Sequence, residues 1–529
     1  MKKGLLGGKM KFKKVASMVL VGITMLAFTG CSNGGENKQA SNKSIGGTIV
    51  LPLASDPDVL NTAFANVKEA SLAAHLLYSP LYTYEKGDLT YYLADKVDFK
   101  DSKELNITLK KDLKWHDGKP ITADDIVFTI NTVLDEKQNS PARQYLLIEE
   151  EPVVAEKVDD LTVKIKLPTA SEAFLYNMSR VSPTPKHVFE GEADIAKSEK
   201  NNTPVGSGAF KFKEWNKGES LIFEKNEDYF GGEPKADMVA LKIVPNEASQ
   251  EAAMNNGELT LMKANPETFK KAKDNDKLQT YTHSENRLNY IVFNQNIDSM
   301  KNKKVRQSIS YAFDRNEMID SAYGEEKSKP AKSILVPEAD FYTEKDVEGY
   351  DHDLEKAKNL LSESGVTVDK VKIGYNNARF GHKNYALVAQ QQLKELGIEA
   401  EIVPYESKAF FDVLFSDSKE CDMYVNGYAW GLEPNPYRGM FETGTYHNQT
   451  NYSNPEVDKL WNEGAKELNK EKRQEIYEKI QSLVSQDAPV YTIDYEQNLM
   501  VAQKGLKGMK EAKPKSVLMF EDWSKVYVD

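Results

Sequence analysis

The chain has 529 residues, of which 28% are charged and 40% hydrophobic, and its formal net charge is -12 at pH 7. This composition is that of an ordinary globular protein, and the length is sufficient for two or three domains with large cores. The acidic balance argues against a nucleic-acid partner, because such partners are bound through basic patches.

The first residues have the pattern of an export signal. Three lysines at positions 11, 13 and 14 precede an apolar run over residues 15–28, which is too short to span a bilayer of about 30 Å as a helix. Thr29 and Gly30 then lead into Cys31. The pattern predicts a lipoprotein signal peptide over residues 1–30, cut before Cys31, whose sulfur would be acylated. An ordinary cleaved signal with an incidental cysteine is the alternative.

A polar stretch with glycines follows over residues 31–47 and is predicted to be a flexible tether. After Phe28 no apolar run approaches the length of about 18 residues that would predict a membrane-spanning helix. The remainder of the chain is therefore expected to form a body held at a membrane by the lipid alone.

Short runs that alternate apolar and polar residues fill positions 48 to 245, as is typical of half-buried strands. Two such runs cover residues 105–109 and 161–167. Between them a helix is predicted after Thr122, whose hydroxyl can cap the first turn while Asp125, three residues later, completes a capping box. The apolar residues of that helix form one stripe, made of Ile126, Val127, Ile130, Val133 and Leu134.

From about residue 350 the pattern changes to alternating helices and strands. Asp353 is predicted to open a helix that Gly365 ends. Later helices are predicted near residues 385–396 and 408–415, and strands at 371–375, 398–403 and 422–426. This alternation predicts an α/β lobe with a largely parallel sheet, in which ligands bind beyond the carboxyl ends of the strands. The segment 427–436 follows one such strand end.

Motifs of catalytic and metal sites are largely missing from the sequence. The seven histidines include no pair four residues apart with a glutamate between them, so the usual zinc-hydrolase motif is not present. Gly206-Ser207-Gly208 lacks the pattern of a nucleophile elbow, and His116-Asp117-Gly118 contains the Asp-Gly pair common in turns. Both are predicted to be backbone turns. We expect a protein that binds rather than catalyses, with neither a cofactor nor a metal.

Several longer motifs occur in an order that is known from one family. They are Leu113–Phe128 (LKWHDGKPITADDIVF), Thr203–Phe212, Asn226–Gly232, Asn289–Asn294, Lys304–Arg315, Tyr452–Asp458 and Asp487–Pro489. On these motifs, which cover nearly all of the chain after the tether, the sequence resembles the extracellular solute-binding proteins of peptide and nickel ABC importers.

The resemblance implies an α/β fold of the two-lobed periplasmic-binding-protein-like (clamshell) type with an extra inserted subdomain. Lobe I would comprise residues 48–80, 204–285 and 495–529, the inserted subdomain residues 81–203, and lobe II residues 286–494. Several motif residues are expected to be structural, namely Trp115, Gly118, Pro204, Gly206 and Gly208. Arg306, Asp314 and Arg315 are expected to hold a helix in place through hydrogen-bonded ion pairs.

The implied function is that of a lipid-anchored receptor, which captures an oligopeptide between closing lobes and delivers it to an ABC permease and its ATPase subunits. Such receptors bind the peptide as an added strand, and its ends need a carboxylate for the ammonium and cations for the carboxylate. The receptor is expected to be a monomer at the extracellular face of the cell membrane. Its membrane contact would be through the anchor only.

In many relatives an Asp after the strand equivalent to 422–426 pairs with the amino terminus of the peptide. Here that stretch contains Gly427, Tyr428, Ala429, Trp430 and Gly431, with no acid. Glu433 is the nearest acid and is predicted either to replace the missing Asp or to be a solvated loop residue. Tyr428 and Trp430 are predicted either to wall a ligand pocket or to pack in the core.

Two further segments are expected at the site. By analogy with the family, Phe64, Ala65 and Asn66 would form the opposite wall. Arg379 is predicted to meet a ligand carboxylate, with a plain surface role as the alternative.

Other functions remain open at this point. The same fold could carry a nickel chelate, haem or a small sugar, because a fold does not settle its ligand. An exported hydrolase would use Glu433 or the Asp117 loop as its active site, although no nucleophile lies at a suitable spacing from a base. A signalling receptor for a short peptide would differ only in what the bound state triggers.

Overall fold

The computed structural model describes residues 46–324, 326, 328–429 and 431–529. The predicted signal peptide, Cys31, most of the predicted tether and Trp430 therefore lie outside the described residues. Within the part of the chain that is described, no helix is both long enough and apolar enough to cross a membrane.

The strands are short except for two, β14 and β19. In chain order they are β1 (Thr48–Leu53), β2 (Tyr82–Glu85), β3 (Asp88–Tyr91), β4 (Ala94–Lys100), β5 (Glu104–Leu109), β6 (Leu147–Ile148), β7 (Glu151–Pro152), β8 (Val154–Lys157), β9 (Thr162–Lys166), β10 (Phe210–Asn216), β11 (Ser220–Lys225), β12 (Met238–Ile243), β13 (Leu261–Lys263), β14 (Leu278–Phe293), β15 (Lys329–Pro330), β16 (Lys370–Asn376), β17 (Glu399–Tyr405), β18 (Met423–Tyr428), β19 (Val490–Gln503), β20 (Leu506–Lys507), β21 (Pro514–Lys515), β22 (Met519–Phe520) and β23 (Tyr527–Val528).

The helices are concentrated in the second half of the chain. They are α1 (Lys68–Leu77), α2 (Ala123–Leu134), α3 (Phe174–Ser179), α4 (Lys186–Phe189), α5 (Glu247–Asn255), α6 (Pro266–Lys273), α7 (Asp298–Lys301), α8 (Lys303–Ala312), α9 (Arg315–Tyr323), α10 (Leu354–Ser364), α11 (His382–Glu395), α12 (Ser407–Leu414), α13 (Arg438–Phe441), α14 (Pro455–Lys466) and α15 (Lys470–Asp487).

The largest sheet has the strand order β13-β19-β14-β18-β16-β17, with β15 added alongside β19. β16 pairs in parallel with β17 and with β18, and α11 and α12 connect these three strands in sequence. This is the α/β alternation predicted from residue 350 onward. The long strands β14 and β19 are antiparallel to each other, and β14 is antiparallel to β18. The large sheet is therefore mixed, and its parallel part is the part that the helix–strand alternation predicts.

Helices cover both faces of the large sheet. One face is packed by apolar residues of α8, α9 and α11, including Ile309, Met318 and Leu393. The other face is packed by α12, α14 and α15, with Phe410 and Trp461 fully buried. Buried apolar area is the main favourable term in folding, so these two layers fix the sheet and its edges in place.

Two four-stranded sheets are formed by the first half of the chain. One has the order β1-β12-β11-β10 and the other β4-β5-β9-β8. In β5 the predicted alternation is confirmed, because Leu105, Ile107 and Leu109 are buried while the residues between them are partly exposed. The predicted helix after Thr122 is α2, and the carboxylate of Asp125 accepts a hydrogen bond from the Thr122 N–H at 2.9 Å.

The Gly206-Ser207-Gly208 segment closes the carboxyl end of α1. The carbonyl of Leu77 accepts hydrogen bonds from the N–H groups of Ser207 (2.8 Å) and Gly208 (2.7 Å). A Cβ on Gly206 would lie 2.0 Å from that carbonyl oxygen, so only glycine fits here. The His116 ring accepts from the Gly206 N–H and donates to the Gly208 carbonyl, and burial lowers its pKa to about 4. The turn interpretation is confirmed at 116–118, where the Gly118 N–H donates to the Trp115 carbonyl at 2.9 Å, whereas 206–208 is an irregular segment whose glycines allow a close approach to Leu77.

The expectation of ion pairs at Arg306 and Arg315 was wrong. The Arg306 guanidinium donates to the carbonyls of Ala488 (3.0 Å) and Met300 (2.8 Å), and Arg315 donates to the carbonyls of Ala331 and Gly349. Asp314 instead caps α9, because its side chain accepts from the Asn316 N–H at 2.8 Å. Carbonyls at loop and helix ends need donors, and a buried guanidinium supplies several at once.

Candidate functional site

The carboxyl ends of β16, β17 and β18 lie together at one edge of the large sheet, which we call the sheet edge. The three strands are parallel, so the segments that follow them, which begin at residues 377, 406 and 429, emerge on the same side. In sheets of this kind the crevice outside the carboxyl ends is where ligands bind. The sheet edge is therefore the first place to look for a site.

Charged side chains lie on the two long strands, β14 and β19, next to the sheet edge. Glu285 and Arg287 are on β14 and Glu496 is on β19, and we call these three residues the floor. Arg287 Nε lies 3.4 Å from Glu496 Oε2, and the two side chains are 14% and 16% exposed. Lys263 Nζ lies 3.4 Å from the other oxygen of Glu496. Glu285 accepts a hydrogen bond from the Asn498 amide.

Gly427 supports the floor through its backbone. It pairs with Asn289 across the β14–β18 ladder, and its carbonyl accepts a hydrogen bond from Arg287 Nη2 at 2.5 Å. A Cβ at this position would lie 2.2 Å from Asn289 Oδ1 and 3.0 Å from Arg287 Nε. Glycine is needed here because any side chain would displace the arginine that forms part of the floor.

Arg379 is exposed in the loop after β16, and its guanidinium makes no hydrogen bond or ion pair with the residues that the structure describes. Desolvation lowers its pKa, as does the nearby charge of Arg287, while Glu496 and Glu285 act in the opposite direction. The electrostatic neighbours of Arg379 are thus the residues of the floor. The structure brings this predicted residue to the sheet edge.

His382 is the first residue of α11 and is 1% exposed. Its Nδ1 is buried without a hydrogen-bond partner among the described residues. Burial holds its pKa well below the usual value, and the charges of Arg287 and Arg379 lower it further. The imidazole is therefore held neutral inside the protein at the amino end of α11.

Tyr428 is part of the core. It is buried, its hydroxyl donates to the carbonyl of Ile334 at 2.7 Å, and its ring packs 5.1 Å from Tyr290 and 5.4 Å from Tyr437. Of the two alternatives for this residue, the structure supports packing. Ala429 is exposed at the sheet edge, and Trp430 lies outside the described residues.

Glu433 is neither a solvated loop residue nor an exposed carboxylate at the sheet edge, so both predictions for it need correction. Its Oε1 lies 2.8 Å from Arg473 Nη2, and the two side chains are 2% and 6% exposed. The Asn435 N–H also donates to it. Burial raises the pKa of Glu433, while the charge of Arg473 acts in the opposite direction. A carboxylate that is already paired and enclosed has no free face for a ligand ammonium.

The segment 64–66 directly precedes α1. Phe64 is buried, Ala65 is half-buried and Asn66 is exposed. Phe64 and Asn66 line an open cavity of about 420 Å³ with Asn139, Ser140 and Ala196 among its other walls. Lys68, the first residue of α1, is acted on by the charges of Lys263, Glu285 and Glu496. The start of α1 therefore lies beside the floor.

The residues 81–203 contact the large sheet's loops directly. The Tyr84 hydroxyl donates to Asp340 Oδ2 at 2.8 Å, and Lys86 Nζ donates to the Pro337 carbonyl at 3.2 Å. The Leu432 N–H donates to the Tyr176 hydroxyl at 3.3 Å. These bonds join the β2–β3 hairpin and α3 to the loops at residues 337–340 and 432.

Sequence reasoning missed Arg287, Glu285, Glu496 and His382. Glu285 and Arg287 lie just before the motif at 289–294. The alternation of these charged residues with polar neighbours was the signal that the sequence offered for a charged strand face. The partner strand lies about two hundred residues away along the chain, so the pairing with Glu496 could not be read locally. In the described part of the chain no group of three or more His, Cys, Asp or Glu side chains is arranged to hold a metal ion.

Comparison with known proteins gives consistent matches. The family model for bacterial extracellular solute-binding proteins, family 5, matches residues 88–450. The crystal structure of AppA from Clostridium difficile is 73% identical, with a TM-score of 0.87 over 91% of this chain and 100% of that one. The ABC transporter substrate-binding protein CtaP from Listeria monocytogenes is 39% identical, with a TM-score of 0.88 over 91% of this chain and 99% of that one.

A third match is more distant in sequence. The oligopeptide-binding protein AppA from Bacillus subtilis, solved in complex with a nonapeptide, is 26% identical, with a TM-score of 0.73 over 92% of this chain and 99% of that one. All three are similar to this chain over nearly its whole described length.

Proposed function

Because this chain belongs to family 5 of the bacterial extracellular solute-binding proteins, we propose that it captures oligopeptides for an ABC importer. It has the two-lobed clamshell fold of that family. The peptide class is supported by the Bacillus subtilis relative, which holds a nonapeptide. The observation that carries the proposal is the charged floor beside the carboxyl ends of the parallel strands, where Arg287 Nε lies 3.4 Å from Glu496 Oε2.

The proposed lobes follow the family resemblance, and the boundaries between them fall within β14 and β19, which pair with each other in the large sheet. We assign residues 48–80, 204–285 and 495–529 to lobe I, residues 81–203 to an inserted subdomain, and residues 286–494 to lobe II. The sheet β1-β12-β11-β10 then belongs to lobe I and the sheet β4-β5-β9-β8 to the inserted subdomain. Only two strands would cross between the lobes, which favours hinge closure around a ligand.

In the proposed mechanism the lobes close on an extended peptide. Backbone pairing would give affinity that does not depend on the peptide's sequence, and wet pockets would accept its side chains. Arg379 would meet the terminal carboxylate, with Phe64, Ala65 and Asn66 on the opposite side. Closure is favoured only if the peptide binds the closed state more tightly than the open one. The closed receptor would then be recognised by the permease, which its ATPase subunits drive.

The proposed location is the outer face of the cell membrane. The family is extracellular, and the proposal adds that Cys31 carries the lipid anchor and that residues 31–47 act as a tether. We propose that the receptor acts as a monomer, without a cofactor and without catalysing a reaction. Palmitate labelling of the wild-type chain and of Cys31→Ser tests the anchor, since only the wild type should incorporate the label.

Native mass spectrometry of the chain from Ser32 onward tests the peptide proposal. Material purified under gentle conditions should release a series of masses that fragment into short peptides. A single non-peptide mass, such as a metal chelate or haem, would overturn the peptide class while leaving the fold unaffected. Cleavage of added peptides into fragments, with many peptides cleaved per receptor molecule, would contradict the proposal that the receptor catalyses no reaction.

A further inference from the structure

We propose that the surface around Gly46 binds an anionic lipid surface through four exposed lysines, none of which has an acidic partner among the described residues. We call these lysines the basic surface, and they are Lys235, Lys277, Lys504 and Lys507. This role goes beyond peptide capture. It rests on the proposed lipid anchor at Cys31, because that anchor would hold the basic surface close to a bilayer.

A series of contacts joins the four lysines. β14 begins directly after Lys277 and β19 ends directly before Lys504, and the Lys504 N–H donates to the Lys277 carbonyl at 2.9 Å. Lys507 Nζ donates to the Lys504 carbonyl, also at 2.9 Å. Lys507 pairs with Tyr527 between β20 and β23, and Lys235 Nζ lies 5.1 Å from the centre of the Tyr527 ring. The four lysines therefore form one continuous stretch of the surface at the end of the long ladder.

The acids next to the basic surface leave it positive. Asp237 Oδ1 and Asp522 Oδ2 each lie within 3.6 Å of the Nζ of a lysine outside the basic surface. Asp276 and Asp529 are exposed nearby, so four lysines face two acids that are not paired in this way. In a chain whose formal net charge is -12, this is a local excess of positive charge. Anionic lipids would attract this region and repel the protein as a whole, which favours a single orientation.

The chain enters the folded body at the same place. Gly46 forms an isolated bridge with Val528, whose N–H donates to the Gly46 carbonyl at 3.0 Å. Gly46 thus lies beside β23, the strand with which Lys507 pairs. Residues 31–45 can span at most about 50 Å even when fully extended. A lipid on Cys31 would therefore keep the basic surface within that distance of the bilayer.

The physical properties of a membrane surface suit this arrangement. Several lysines that face many phosphate groups together are attracted to an anionic leaflet, and a basic patch beside a lipid chain adds to the hold of that chain. A single free phosphate can meet only one or two of the lysines. Counted along β14 from Lys277 to Glu285, the floor lies about 25 Å from the basic surface, at about 3.3 Å per residue. The floor would therefore stand clear of the lipid headgroups, where a peptide can reach it.

Co-sedimentation with lipid vesicles tests the proposal. The chain from Ser32 onward, which carries no lipid, is mixed at low salt with vesicles of phosphatidylcholine alone or of phosphatidylcholine and phosphatidylglycerol in equal amounts. The bound fraction should be about tenfold higher or more on the anionic vesicles, and it should fall as sodium chloride is added, because salt screens the attraction. Inorganic phosphate should displace no more protein than sodium chloride of the same ionic strength.

Two variants that lose the same charge localise the contact. The first replaces the four lysines of the basic surface by glutamine (Lys235→Gln, Lys277→Gln, Lys504→Gln and Lys507→Gln). The control replaces four exposed lysines elsewhere (Lys103→Gln, Lys111→Gln, Lys394→Gln and Lys472→Gln). The first variant should lose the preference for anionic vesicles, and the control should bind as the wild type does. Both should unfold at the wild-type temperature, which shows that neither change disturbs the fold.

The other outcomes would overturn the proposal. Equal binding to both kinds of vesicle, or an equal loss in the two variants, would mean that the basic surface does not recognise anionic lipid. Displacement by inorganic phosphate beyond the effect of salt would indicate a site for a single anion instead. Palmitate labelling of Cys31 without vesicle binding would overturn this role alone and leave the anchor and peptide capture standing. Missing label would overturn the anchor, and with it the placement of the basic surface near a bilayer.

Discussion

Glu433 and Arg473 form an ion pair in which both side chains are almost fully buried. Arg473 also packs its guanidinium 5.0 Å from the Phe341 ring and donates to the Gly464 carbonyl at 3.2 Å. A buried ion pair stabilises the fold little more than an apolar pair of the same size would, because both ions lose their hydration on folding. Removal of one partner is different, since it leaves the other charge buried and alone.

We expect Glu433→Gln to lower the free energy of unfolding by about 3–5 kcal/mol, because it leaves the buried Arg473 charge unpaired. Urea denaturation of the wild type and the variant measures this. Asp412→Asn breaks the exposed Lys408–Asp412 pair, at 2.6 Å, and serves as the control, with an expected loss of less than about 1 kcal/mol.

The same Glu433 variant also tests its role toward ligand. Any change in affinity should be by the same factor for free and N-acetylated peptides, since the carboxylate is buried and already paired with Arg473. A selective loss for the free peptide would restore Glu433 as the ammonium anchor.

Asp494, near the floor, has a shifted pKa that makes the stability of the fold depend on pH. It is fully buried, its Oδ1 accepts from the Tyr385 hydroxyl at 3.0 Å, and burial raises its pKa from 3.8 to about 7. Between about pH 4 and pH 7 the folded protein therefore holds a proton that the unfolded chain has lost. Stability from this group is present at low pH, falls as the pH rises through that interval, and changes no further above it.

We expect the unfolding free energy of the wild type, relative to Asp494→Asn, to fall by about 2–3 kcal/mol between pH 5 and pH 8. Asparagine can still accept from Tyr385 but cannot titrate, so the variant removes this one contribution. Denaturation at pH 5, 6.5 and 8 gives the difference directly. A difference that does not depend on pH would mean that Asp494 is ionised throughout.

At the scale of elements, local patterns were sufficient for helices and their ends. Asp353 caps α10 through a 2.9 Å bond from the Lys356 N–H, and Gly365 ends that helix with a left-handed backbone at φ +66°. The capping residues, the stripe of α2 and the alternation in β5 all depend on neighbours within four residues. Such interactions are visible in a single sequence.

The floor could not be predicted in the same way. Arg287 and Glu496 meet only because β14 and β19 pair along most of their length, with Leu288 opposite Tyr495. Glu433 likewise depends on an arginine forty positions later. Local periodicity gives no information on such long-range pairings. The family resemblance therefore predicted the two-lobed fold and Arg379, while the three residues of the floor were found only in the structure.

The segment at 206–208 gives a prediction for an element. Gly206→Ala should destabilise the protein by about 1–3 kcal/mol, because its Cβ would meet the Leu77 carbonyl and force the segment away from the end of α1. Gly439→Ala is the matched control, since its Cβ would meet nothing closer than 3.7 Å. Thermal unfolding of both variants measures the effect, and equal melting temperatures would contradict it.

At the scale of the whole molecule, the bonds between residues 81–203 and the loops of the large sheet bear on the proposed closure of the lobes. Asp340 is buried against Tyr84, which comes from the inserted subdomain as we define it. Burial and the Asp340 charge both raise the pKa of Tyr84, so the hydroxyl stays a donor. Opening of the crevice would break this bond and return both groups to water.

We expect Tyr84→Phe to shift the population toward the open form, because a hydrogen bond to a charged group contributes about 1.5–3 kcal/mol. Small-angle scattering should give a larger radius of gyration for the variant without added ligand. Tyr91→Phe, on the partner strand β3 of the same hairpin, is the control and should scatter like the wild type. Identical scattering from all three proteins would exclude a contribution of this bond to closure.

The ladder between β14 and β19 is interrupted between Ser284 and Leu288, and Asn286 there has a left-handed backbone at φ +52°. Irregular pairing makes a strand easier to bend than a continuous ladder does. The interruption contains Glu285 and Arg287, so the joint proposed for lobe closure and the charged floor would be built from the same few residues. A substitution that adapted the floor to a new ligand would then also change the stiffness of that joint, and selectivity and transport rate would evolve together.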